Sequence, residues 1–284
     1  MPLDFPRSRL QAPGARRGAL GWIGSPLVAR RTIGRRPSAG DPSPNRPLVK
    51  EEALEDLKRL AGRAALREVE SGMRIGLGTG STVRHFLDAL GEALAQGKLR
   101  DLQGVPTSEA TAARARELGI PLRELHEAAP LDLAVDGADE VDSNLDLIKG
   151  LGGALLREKM VVQEARRFVV IADPGKVVRQ LGSRAPLPVE VVCFGWRSHL
   201  PFFQALGAEP RLRICGERGE PFLTDNGNHV VDLTFPNGIS DPRDLQESLR
   251  ERAGVVETGL FLGSASLVLV GTPEGSVSRM ERNP

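Results

Sequence analysis

The sequence predicts an α/β protein in two parts, a parallel-sheet domain followed by a smaller α+β domain. From about residue 74 to residue 172, short apolar strands alternate with helical patterns, which is typical of a parallel sheet with helical crossovers. After about Leu181 strands predominate, and helical patterns remain only at 197–206 and 241–252. We therefore predict a main domain at 49–180, a smaller domain at 181–256, and a return of 257–275 to the first sheet.

Each element of the first part has its own local signal. The segment "KEEALEDLKRLAGRAALREVE" places leucines and alanines at helical spacing and opens with acidic residues, which favour a helix N-terminus. The segment "MRIGLGTGSTVRHFLDAL" then has the pattern strand, glycine loop, helix. The remaining predicted strands are Leu102–Val105, Leu131–Val135 and Phe168–Ala172, with helices at Ser108–Leu118 and Gly153–Arg167. Functional loops of such a sheet lie at the carboxyl ends of its strands.

The composition is that of a soluble globular protein. The chain has 284 residues, of which 40% are hydrophobic and 26% charged. A net charge of +1 gives no reason to expect nucleic acid or an anionic membrane as partner. The sequence contains no apolar run near the roughly 20 residues that a membrane-spanning helix needs.

The first 48 residues differ from the rest. They contain eight prolines, nine arginines and two acidic residues, so this tail carries +7 and the remainder −6. Such a segment buries too little apolar surface to offset its ordering entropy, and we expect a disordered, dispensable tail. An arginine-rich, acid-poor N-terminus is also typical of an organellar transit peptide. A start codon placed too far upstream is the third explanation.

Cysteines and histidines give no metal or nucleophile motif. Cys193 and Cys215 lie far apart without Cys-x-x-Cys or Cys/His spacing, so we predict buried free thiols in a reducing compartment. The histidines share no motif and are interpreted as structural or surface residues; they are His85, His126, His199 and His229.

The segment "GLGTGST" (76–82) lies between a predicted strand and a helix. Its amides and hydroxyls are suited to surround an anion at the positive end of that helix. It is neither a Walker A loop nor GxGxxG, and no acidic residue ends the next strand, which disfavours a dinucleotide. A sugar phosphate or a nucleotide fits the pattern, and so does a tight turn with a Ser/Thr cap.

Two further glycine-containing segments follow predicted strands. In "DGADE", Asp136 and Asp139 are placed to accept sugar hydroxyls, relay protons or hold a cation, although Asp-rich turns are common. In "KGLGGALLREKM", the glycines let backbone amides approach a ligand closely, and Leu155, Leu156 and Met160 are predicted to be buried. Spacing alone predicts that Glu158 is an exposed helix carboxylate.

Taken in order, these segments resemble the type A ribose-5-phosphate isomerase family. The resemblance runs from about 49 to about 275 through "GLGTGSTVRHF", "VPTS", "DLAVDGADEVD", "LIKGLGGALLREKM", "FVVIADPGKVV", "LPVEV", "TDNGN", "GVVETGLF" and "GTPEG". It implies a Rossmann-like main domain, a smaller ferredoxin-like α+β domain and a homodimer or homotetramer. It also implies interconversion of D-ribose 5-phosphate and D-ribulose 5-phosphate through an enediolate, in the non-oxidative pentose phosphate pathway, with no metal and no organic cofactor.

The resemblance assigns roles residue by residue. Glu158 stands at the position of the catalytic base, which reverses the interpretation from spacing. Asp136, Asp139 and Lys149 complete the catalytic set, with Asp136 tied to opening of the furanose ring. Leu151 departs from the pattern, because many members have glycine there. The positions implied to bind substrate are Lys58, Thr79, Gly80, Ser81, Thr82, Gly137, Ala138, Gly150, Leu151, Gly152 and Lys176.

We expect a small sugar phosphate as partner, neither nucleic acid nor membrane, and a cytoplasmic location with organellar import as the alternative. Two other functions fit part of the pattern. An amino-sugar phosphate deaminase of related fold is disfavoured by the set of Asp136, Asp139, Lys149 and Glu158. A sugar-phosphate-sensing module without catalysis needs the phosphate loop but not Glu158, and the proline-rich tail is a poor source of a DNA-binding helix-turn-helix.

Overall fold

The computed structural model of this chain describes residues 46–216 and 219–282. The tail predicted for residues 1–48 therefore lies outside the described residues, apart from 46–48. Those three residues already belong to the first helix, so the folded body begins slightly before the predicted start near Leu48. In the described ranges, no helix is long and apolar enough to cross a membrane.

The elements follow the alternating order that the sequence predicts for the first part. The helices of the described ranges are α1 (Arg46–Ala65), α2 (Ser81–Ala95), α3 (Glu109–Glu117), α4 (Leu125–Ala128), α5 (Leu155–Gln163), α6 (Leu200–Ala205) and α7 (Pro242–Arg250). The strands there are β1 (Arg74–Leu77), β2 (Gln103–Pro106), β3 (Leu133–Gly137), β4 (Glu140–Val141), β5 (Leu147–Ile148), β6 (Phe168–Ala172), β7 (Leu187–Val191), β8 (Glu209–Leu212), β9 (Ile214–Cys215), β10 (Glu220–Pro221), β11 (His229–Thr234), β12 (Val255–Thr258), β13 (Leu260–Phe261), β14 (Leu267–Gly271) and β15 (Val277–Glu281).

The main sheet has, within the described residues, six strands in the order β15-β14-β6-β3-β1-β2. Its strands run parallel except β15, which pairs antiparallel with β14 at one edge. The parallel strands β3, β6 and β14 are almost wholly buried and rich in valine, leucine and isoleucine, as expected when helices cover both faces of a sheet. The edge strand β15 was not predicted from the sequence.

The strand order creates a crevice between β1 and β3. From β1 the chain moves outward to β2 and then returns to β3 on the other side of β1. The connections after β1 and β3 therefore leave in opposite directions, and such a switch point opens a ligand crevice at the carboxyl ends of the strands. The segment "GTGST" connects β1 to the start of α2, and "DGADE" runs from the last two residues of β3 to the first residue of β4.

The smaller sheet contains β7, β8, β11 and β12, in the order β12-β7-β11-β8 with every pair antiparallel. With α6 after β7 and α7 after β11, the chain follows the β-α-β-β-α-β order of the ferredoxin-like fold. A separate apolar core, including Phe203, Val231 and Leu249, lies between this sheet and its helices. The boundaries 49–180, 181–256 and 257–275 stay a prediction, although β14 does pair with β6 in the main sheet.

A small antiparallel sheet has the order β13-β5-β4. Its strands β4 and β5 form the part of the chain between β3 and the loop before α5. The amide of Lys149, directly after β5, donates to the carbonyl of Gly259 between β12 and β13. The approach is close, because a Cβ on Gly259 would collide with the Lys149 carbonyl oxygen. This arrangement directs the Lys149 side chain back towards the end of β3.

The cysteine prediction was half wrong. Both thiols are free, as predicted, but both residues are exposed and not buried. Cys193 lies beyond the end of β7, and Cys215 lies in the short hairpin strand β9, whose two residues are exposed. Apolar neighbours in the sequence do not lead to burial of these two residues, because both cysteines lie outside the core of the smaller domain.

Candidate active site

The site is built around Asp136, near the end of β3. Its Oδ1 accepts hydrogen bonds from the amide of Thr79 (3.0 Å) and from the amide of Gly137 (2.7 Å). The loop after β1 approaches so closely that a Cβ on Gly78 would collide with the carboxylate. Asp136 is 2% exposed, so it is a buried carboxylate in the crevice between β1 and β3.

Lys149 brings a buried ammonium group to this carboxylate. Its Nζ donates to the carbonyl of Gly137 (2.6 Å) and lies 3.1 Å from Oδ2 of Asp136. It also lies 3.4 Å from Oε2 of Glu158, and both side chains are nearly inaccessible to solvent. A buried ammonium is stabilised when carboxylates and a carbonyl surround it in this way.

Glu158 is buried, which contradicts the exposed helix carboxylate that spacing predicts. It lies in the first turn of α5 and is 3% exposed, while Met160, predicted to be buried, is 47% exposed. The buried face of α5 is therefore formed by Leu155, Glu158 and Val162, together with neighbours. Which face of a helix is buried depends on what packs against it. Here Glu158 faces the charged group of Lys149 and not an apolar surface.

Two carboxylate oxygens of this cluster have no hydrogen bond from the described residues. They are Oδ2 of Asp136 and Oε2 of Glu158, and both face the Lys149 ammonium at angles that do not form a hydrogen bond. A buried acceptor without a partner is costly, and native structures retain such atoms where a ligand or water completes the bond. These two oxygens lie on either side of the Lys149 ammonium and retain the capacity to accept a hydrogen bond.

Burial and crowding of charge change the proton affinities of the cluster. Burial, followed by the nearby charge of Asp136, raises the pKa of Glu158 from 4.5 to about 8. Burial also raises the pKa of Asp136, while the Lys149 ammonium opposes that rise. Burial acts to lower the pKa of Lys149, but the three carboxylates around it outweigh burial and raise that pKa above its ordinary value. A carboxyl that gains and loses a proton near neutral pH is suited to general acid–base catalysis.

The glycine loop lies beside this cluster. The amide of Leu151 donates to Oδ2 of Asp139 (2.9 Å), while the Leu151 side chain is 40% exposed. The leucine side chain therefore leaves its amide in place, although many members of the family have glycine at this position. Lys176 lies 3.9 Å from the other carboxylate oxygen of Asp139, so the structure brings Lys149, Asp139 and Lys176 to one side of the crevice.

The loop after β1 ends at the N-terminus of α2. Gly80 has φ 122°, a conformation that favours glycine, and Ser81 is the first residue of the helix. Ala138 follows Gly137 and is half-buried, and Thr82 lies in the first turn of α2. The positive end of α2 therefore faces the carboxyl edge of the sheet, where an anion is stabilised.

Lys58 is the predicted residue that the structure does not bring into the cluster. It lies on α1 and forms an ion pair with Glu55 at 2.7 Å, and Glu55 also contacts His85 of α2. In the part of the chain that the structure describes, no contact joins Lys58 to Asp136, Lys149 or Glu158. A phosphate role for Lys58 remains a prediction.

Sequence reasoning did not assign a role to a cluster of hydroxyls behind the loop after β1. Thr79 Oγ1 lies 2.8 Å from Thr107 Oγ1 and donates to Ser108 Oγ (2.8 Å). Thr111 Oγ1 donates to the carbonyl of Gly78 (2.8 Å). These residues fix the loop from β2 and α3, and the segment "VPTS" was the available signal.

Flanking residues of Glu158 fasten α5 to both parts of the fold. Arg157 donates to Glu109 of α3 and to the Asp225 carbonyl and Asn226 side chain of the smaller domain. Lys159 donates to Glu257 (2.8 Å) and to the carbonyl of Thr258 (2.6 Å) of β12. Glu158 is thus held on a helix that charged side chains anchor from two directions.

The loop that Arg157 contacts has its own buried anchor, Glu190 of β7. One oxygen of Glu190 accepts hydrogen bonds from the side chains of Thr224, Asn226 and Asn228. Glu190 is fully buried. The segment "TDNGN" is therefore a loop whose polar side chains turn inward to a single carboxylate, and we call it the 224–228 loop.

A cavity of about 570 Å³ lies on the outer side of α5, lined by residues that include Glu109, Arg157 and Met160. It does not contain Asp136, Lys149 or Glu158. The buried charged cluster and this cavity are therefore separate features of the fold.

The comparisons with known proteins agree with this geometry. The sequence model of the family described as ribose 5-phosphate isomerase A (phosphoriboisomerase A) matches residues 103–275. The chain belongs to the ribose 5-phosphate isomerase A family. This match spans the start of β2 to the turn after β14, and it includes the buried cluster.

Similar proteins share this family name. Ribose-5-phosphate isomerase A of Roseiflexus castenholzii is 54% identical over 220 residues, which cover 78% of this chain and 93% of the relative. The probable ribose-5-phosphate isomerase 3, chloroplastic, of Arabidopsis thaliana is 43% identical over 256 residues, covering 88% of this chain and 92% of the relative.

Solved structures show the same fold. Ribose 5-phosphate isomerase from Plasmodium falciparum is 36% identical with a TM-score of 0.78, covering 81% of this chain and 100% of that one. A D-ribose-5-phosphate isomerase in complex with phospho-erythronic acid is 42% identical with a TM-score of 0.78, covering 81% and 99%. As a member of the ribose 5-phosphate isomerase A family, the chain is an isomerase of ribose 5-phosphate and ribulose 5-phosphate in the pentose phosphate pathway.

Proposed function

We propose that the buried cluster of Asp136, Lys149 and Glu158 performs this isomerisation through an enediolate. The observation that carries the proposal is that two buried carboxylate oxygens, on Asp136 and Glu158, flank one buried ammonium and accept no hydrogen bond from the described residues. Aldose–ketose isomerisation moves a proton between C1 and C2 of the sugar. A single carboxylate on one face can remove that proton and return it to the neighbouring carbon.

Glu158 is the proposed base. It takes the proton from C2 of the open-chain aldose while the C1 carbonyl oxygen becomes an oxyanion. The hydroxyl proton then passes from O2 to O1 of the enediolate, and Glu158 returns its proton to C1 as the C2 carbonyl forms, which gives the ketose. The raised pKa of Glu158, about 8, makes the carboxylate a stronger base than an exposed glutamate. Burial also removes the competing water that would solvate it.

The oxyanion needs donors that are already in place. The Lys149 ammonium and the amide of Gly152 in the glycine loop, 150–153, are the proposed donors, because the amides of Leu151 and Gly153 already donate to Asp139 and to the Gly150 carbonyl. Removing one donor of this kind in other enzymes raises the barrier by about 3 to 4 kcal/mol. Asp136, whose carboxylate accepts hydrogen bonds from two amides, is the proposed group for opening the furanose ring.

The rest of the sugar phosphate is proposed to bind along the crevice. Asp139 and Lys176 contact the sugar from one side, and the loop 79–82 at the N-terminus of α2 contacts it from the other. Binding energy from groups distant from C1 and C2 can orient those carbons against Glu158. The solved relative in complex with phospho-erythronic acid supports this class of ligand, because the acid's carboxylate resembles the two oxygens of an enediolate.

The test is a coupled assay of the purified chain with ribose 5-phosphate, with and without EDTA. Turnover that survives EDTA agrees with the metal-free reaction implied by the resemblance. Binding of ribose 5-phosphate without turnover would favour the sensing module instead. An amino-sugar phosphate as the better substrate would favour the deaminase.

The role of the base has its own test. Glu158→Gln is expected to fold and bind substrate but to lose exchange of the C2 proton with solvent, measured by NMR in deuterium oxide. Glu164→Gln, an exposed carboxylate just beyond α5, is the control and should exchange normally. Retained exchange in Glu158→Gln removes Glu158 from the role of base.

We further propose a homodimer or homotetramer in the cytoplasm. Exposed apolar side chains of the smaller domain, Phe194, Ile214 and Leu223, support self-association, and the free thiols fit a reducing compartment. Light scattering after size-exclusion chromatography tests the oligomer; a monomer at micromolar concentration refutes it.

The name of the Arabidopsis relative, chloroplastic, supports the organellar alternative to a cytoplasmic location. Mass spectrometry of the endogenous N-terminus decides between the two locations.

A further inference from the structure

The glycine loop, 150–153, is closed by one hydrogen bond of its own, from the amide of Gly153 to the carbonyl of Gly150 (2.9 Å), which does not fix the orientation of the central peptide between Leu151 and Gly152. Gly150 has φ 104° and Gly153 has φ 81°, conformations that side chains rarely adopt. Glycines give the backbone the freedom to approach a ligand, but they also leave it many other conformations. Donors for an oxyanion are effective only when their directions are fixed before the reaction begins. Something outside the loop must therefore fix the directions of its amides.

Arg213, between β8 and β9 of the smaller domain, makes the required contacts. One guanidinium nitrogen, Nη1, donates to the carbonyl of Gly150 (2.9 Å) and to the carbonyl of Leu151 (3.0 Å). The other side of the guanidinium is held by Asp232 of β11, which accepts from Nε (2.9 Å) and from Nη2. The Arg213 side chain is 12% exposed, so this ion pair is largely shielded from water.

Phe222 adds a second contact from the smaller domain. The Arg213 guanidinium lies 5.7 Å from the centre of the Phe222 ring, a cation–π distance. The same ring packs on the Cα of Gly153, where any added Cβ would collide with it. Both ends of the glycine loop are thus supported by residues that lie outside the main sheet.

The two carbonyl contacts determine where the amides point. A peptide group is planar and trans, so its N–H points opposite to its C=O. The carbonyl of Gly150 faces Arg213, and the amide of the same peptide, on Leu151, donates to Asp139 on the opposite side. The carbonyl of Leu151 also faces Arg213, so the amide of Gly152 points to that opposite side too. Gly152 lies there beside Thr79, at the crevice.

We propose that Arg213 is a positioning residue for the isomerase reaction: by holding the Leu151 carbonyl it aims the amide of Gly152 at the oxyanion without touching the substrate. This inference rests on the proposed function and adds a residue outside the catalytic cluster. It assigns the smaller domain a part in catalysis, because Arg213, Asp232 and Phe222 all belong to it. A guanidinium is needed, since its planar fork spans two carbonyls and a carboxylate at once, whereas an ammonium is a single point of charge.

The experiment compares Arg213→Met and Arg213→Lys with a matched control, Arg211→Met. Arg211 lies two positions earlier on the same small sheet and is exposed. For each variant, kcat and KM for ribose 5-phosphate are measured, together with the inhibition constant of phospho-erythronic acid and the thermal midpoint. A loss of about 10- to 100-fold in kcat is expected for Arg213→Met, the size of effect that small misplacement of catalytic groups produces.

A positioning role predicts a specific pattern. The affinity for phospho-erythronic acid should fall in step with kcat/KM, because both report on the enediolate-binding amides, while KM changes by less than about threefold. Arg213→Lys keeps the charge opposite Asp232, folds, and still loses kcat. Arg211→Met behaves as wild type.

Three results would overturn the inference: kcat of Arg213→Met within about threefold of Arg211→Met, a rise in KM with kcat unchanged, or full activity of Arg213→Lys. If Arg213→Met does not fold, Arg213→Lys alone decides between these outcomes. An inactive wild-type chain would instead defeat the proposed function, so the two failures are distinguishable.

Discussion

Replacing Glu158 by glutamine tests the electrostatics of the site through stability as well as activity. The buried carboxyl has its pKa raised from 4.5 to about 8, so the folded protein favours the protonated form more strongly than the unfolded chain does. Its contribution to stability is therefore fully present below pH 4.5 and is lost as the pH rises through about 8. Glutamine has the same shape as the protonated acid and does not ionise.

The magnitude follows from the shift. A separation of about 3.5 pH units between the folded and unfolded pKa values corresponds to about 5 kcal/mol of unfolding free energy. At pH 5 the wild type and Glu158→Gln should therefore be close in stability, because both carry a neutral group. At pH 9 the variant should be the more stable by up to about 5 kcal/mol, on the order of the linkage above.

The assay is urea unfolding at several pH values, with Glu164→Gln as a control that should show no such trend. In parallel, kcat/KM of the wild type should rise about tenfold per pH unit up to about pH 8 and then level, since the base must be ionised in the free enzyme. A stability difference that is the same at pH 5 and pH 9 would refute the reasoning. So would a kcat/KM profile that is flat between pH 6 and pH 8.

Three further predictions concern packing, a buried anchor and the thiols. Gly78→Ala should lose about 1 to 3 kcal/mol of stability and most activity in urea and turnover assays, because its methyl group collides with the site carboxylate. In the control Gly137→Ala the added methyl meets nothing closer than 3.9 Å, so equal destabilisation of both variants contradicts this account. Glu190→Gln should destabilise the protein by about 1 to 3 kcal/mol in urea unfolding, since the 224–228 loop loses charged hydrogen bonds, whereas exposed Glu209→Gln should not. Both cysteines should react with a thiol reagent in the native protein, and protection until unfolding would show that they are buried.

Much of the fold was predictable because local patterns agree with it. The strand Phe168–Ala172 was predicted with the same bounds that the structure shows, and its neighbours differ by a residue or two. An all-apolar run bounded by turns specifies a buried parallel strand without tertiary information. The helix predicted at 153–167 is shorter at both ends, Leu155–Gln163, and at its N-terminus the glycines belong to the loop instead.

The site was less predictable from spacing. The burial of Glu158 depends on loops after β3 and β5 that meet only in the fold, and helical periodicity does not report them. The family resemblance implies that Glu158 is the catalytic base, whereas helical periodicity predicts an exposed side chain. Arg213 had no signal at all, because it acts on carbonyls more than 60 positions earlier in the chain through contacts of a separate sheet.

The polar strand β15 was missed for a different reason. Its residues Val277–Glu281 are mostly exposed, so no apolar alternation marks them. Resemblance to the family ends at about residue 275, just before this strand begins. The pattern of apolar residues in a sequence indicates which residues are buried. A solvent-exposed edge strand has no such pattern to detect.

That strand has a consequence for how the chain behaves at high concentration. Without β15, the fully buried strand β14 would expose a free edge of "LVLVG", an apolar, uncharged template for pairing with another chain. β15 pairs with this edge, and its exposed side chains Arg279 and Glu281 form an ion pair with each other. A chain cut at residue 275 would keep every residue of the catalytic cluster and yet be prone to aggregate. The last strand therefore keeps the sheets of neighbouring molecules apart.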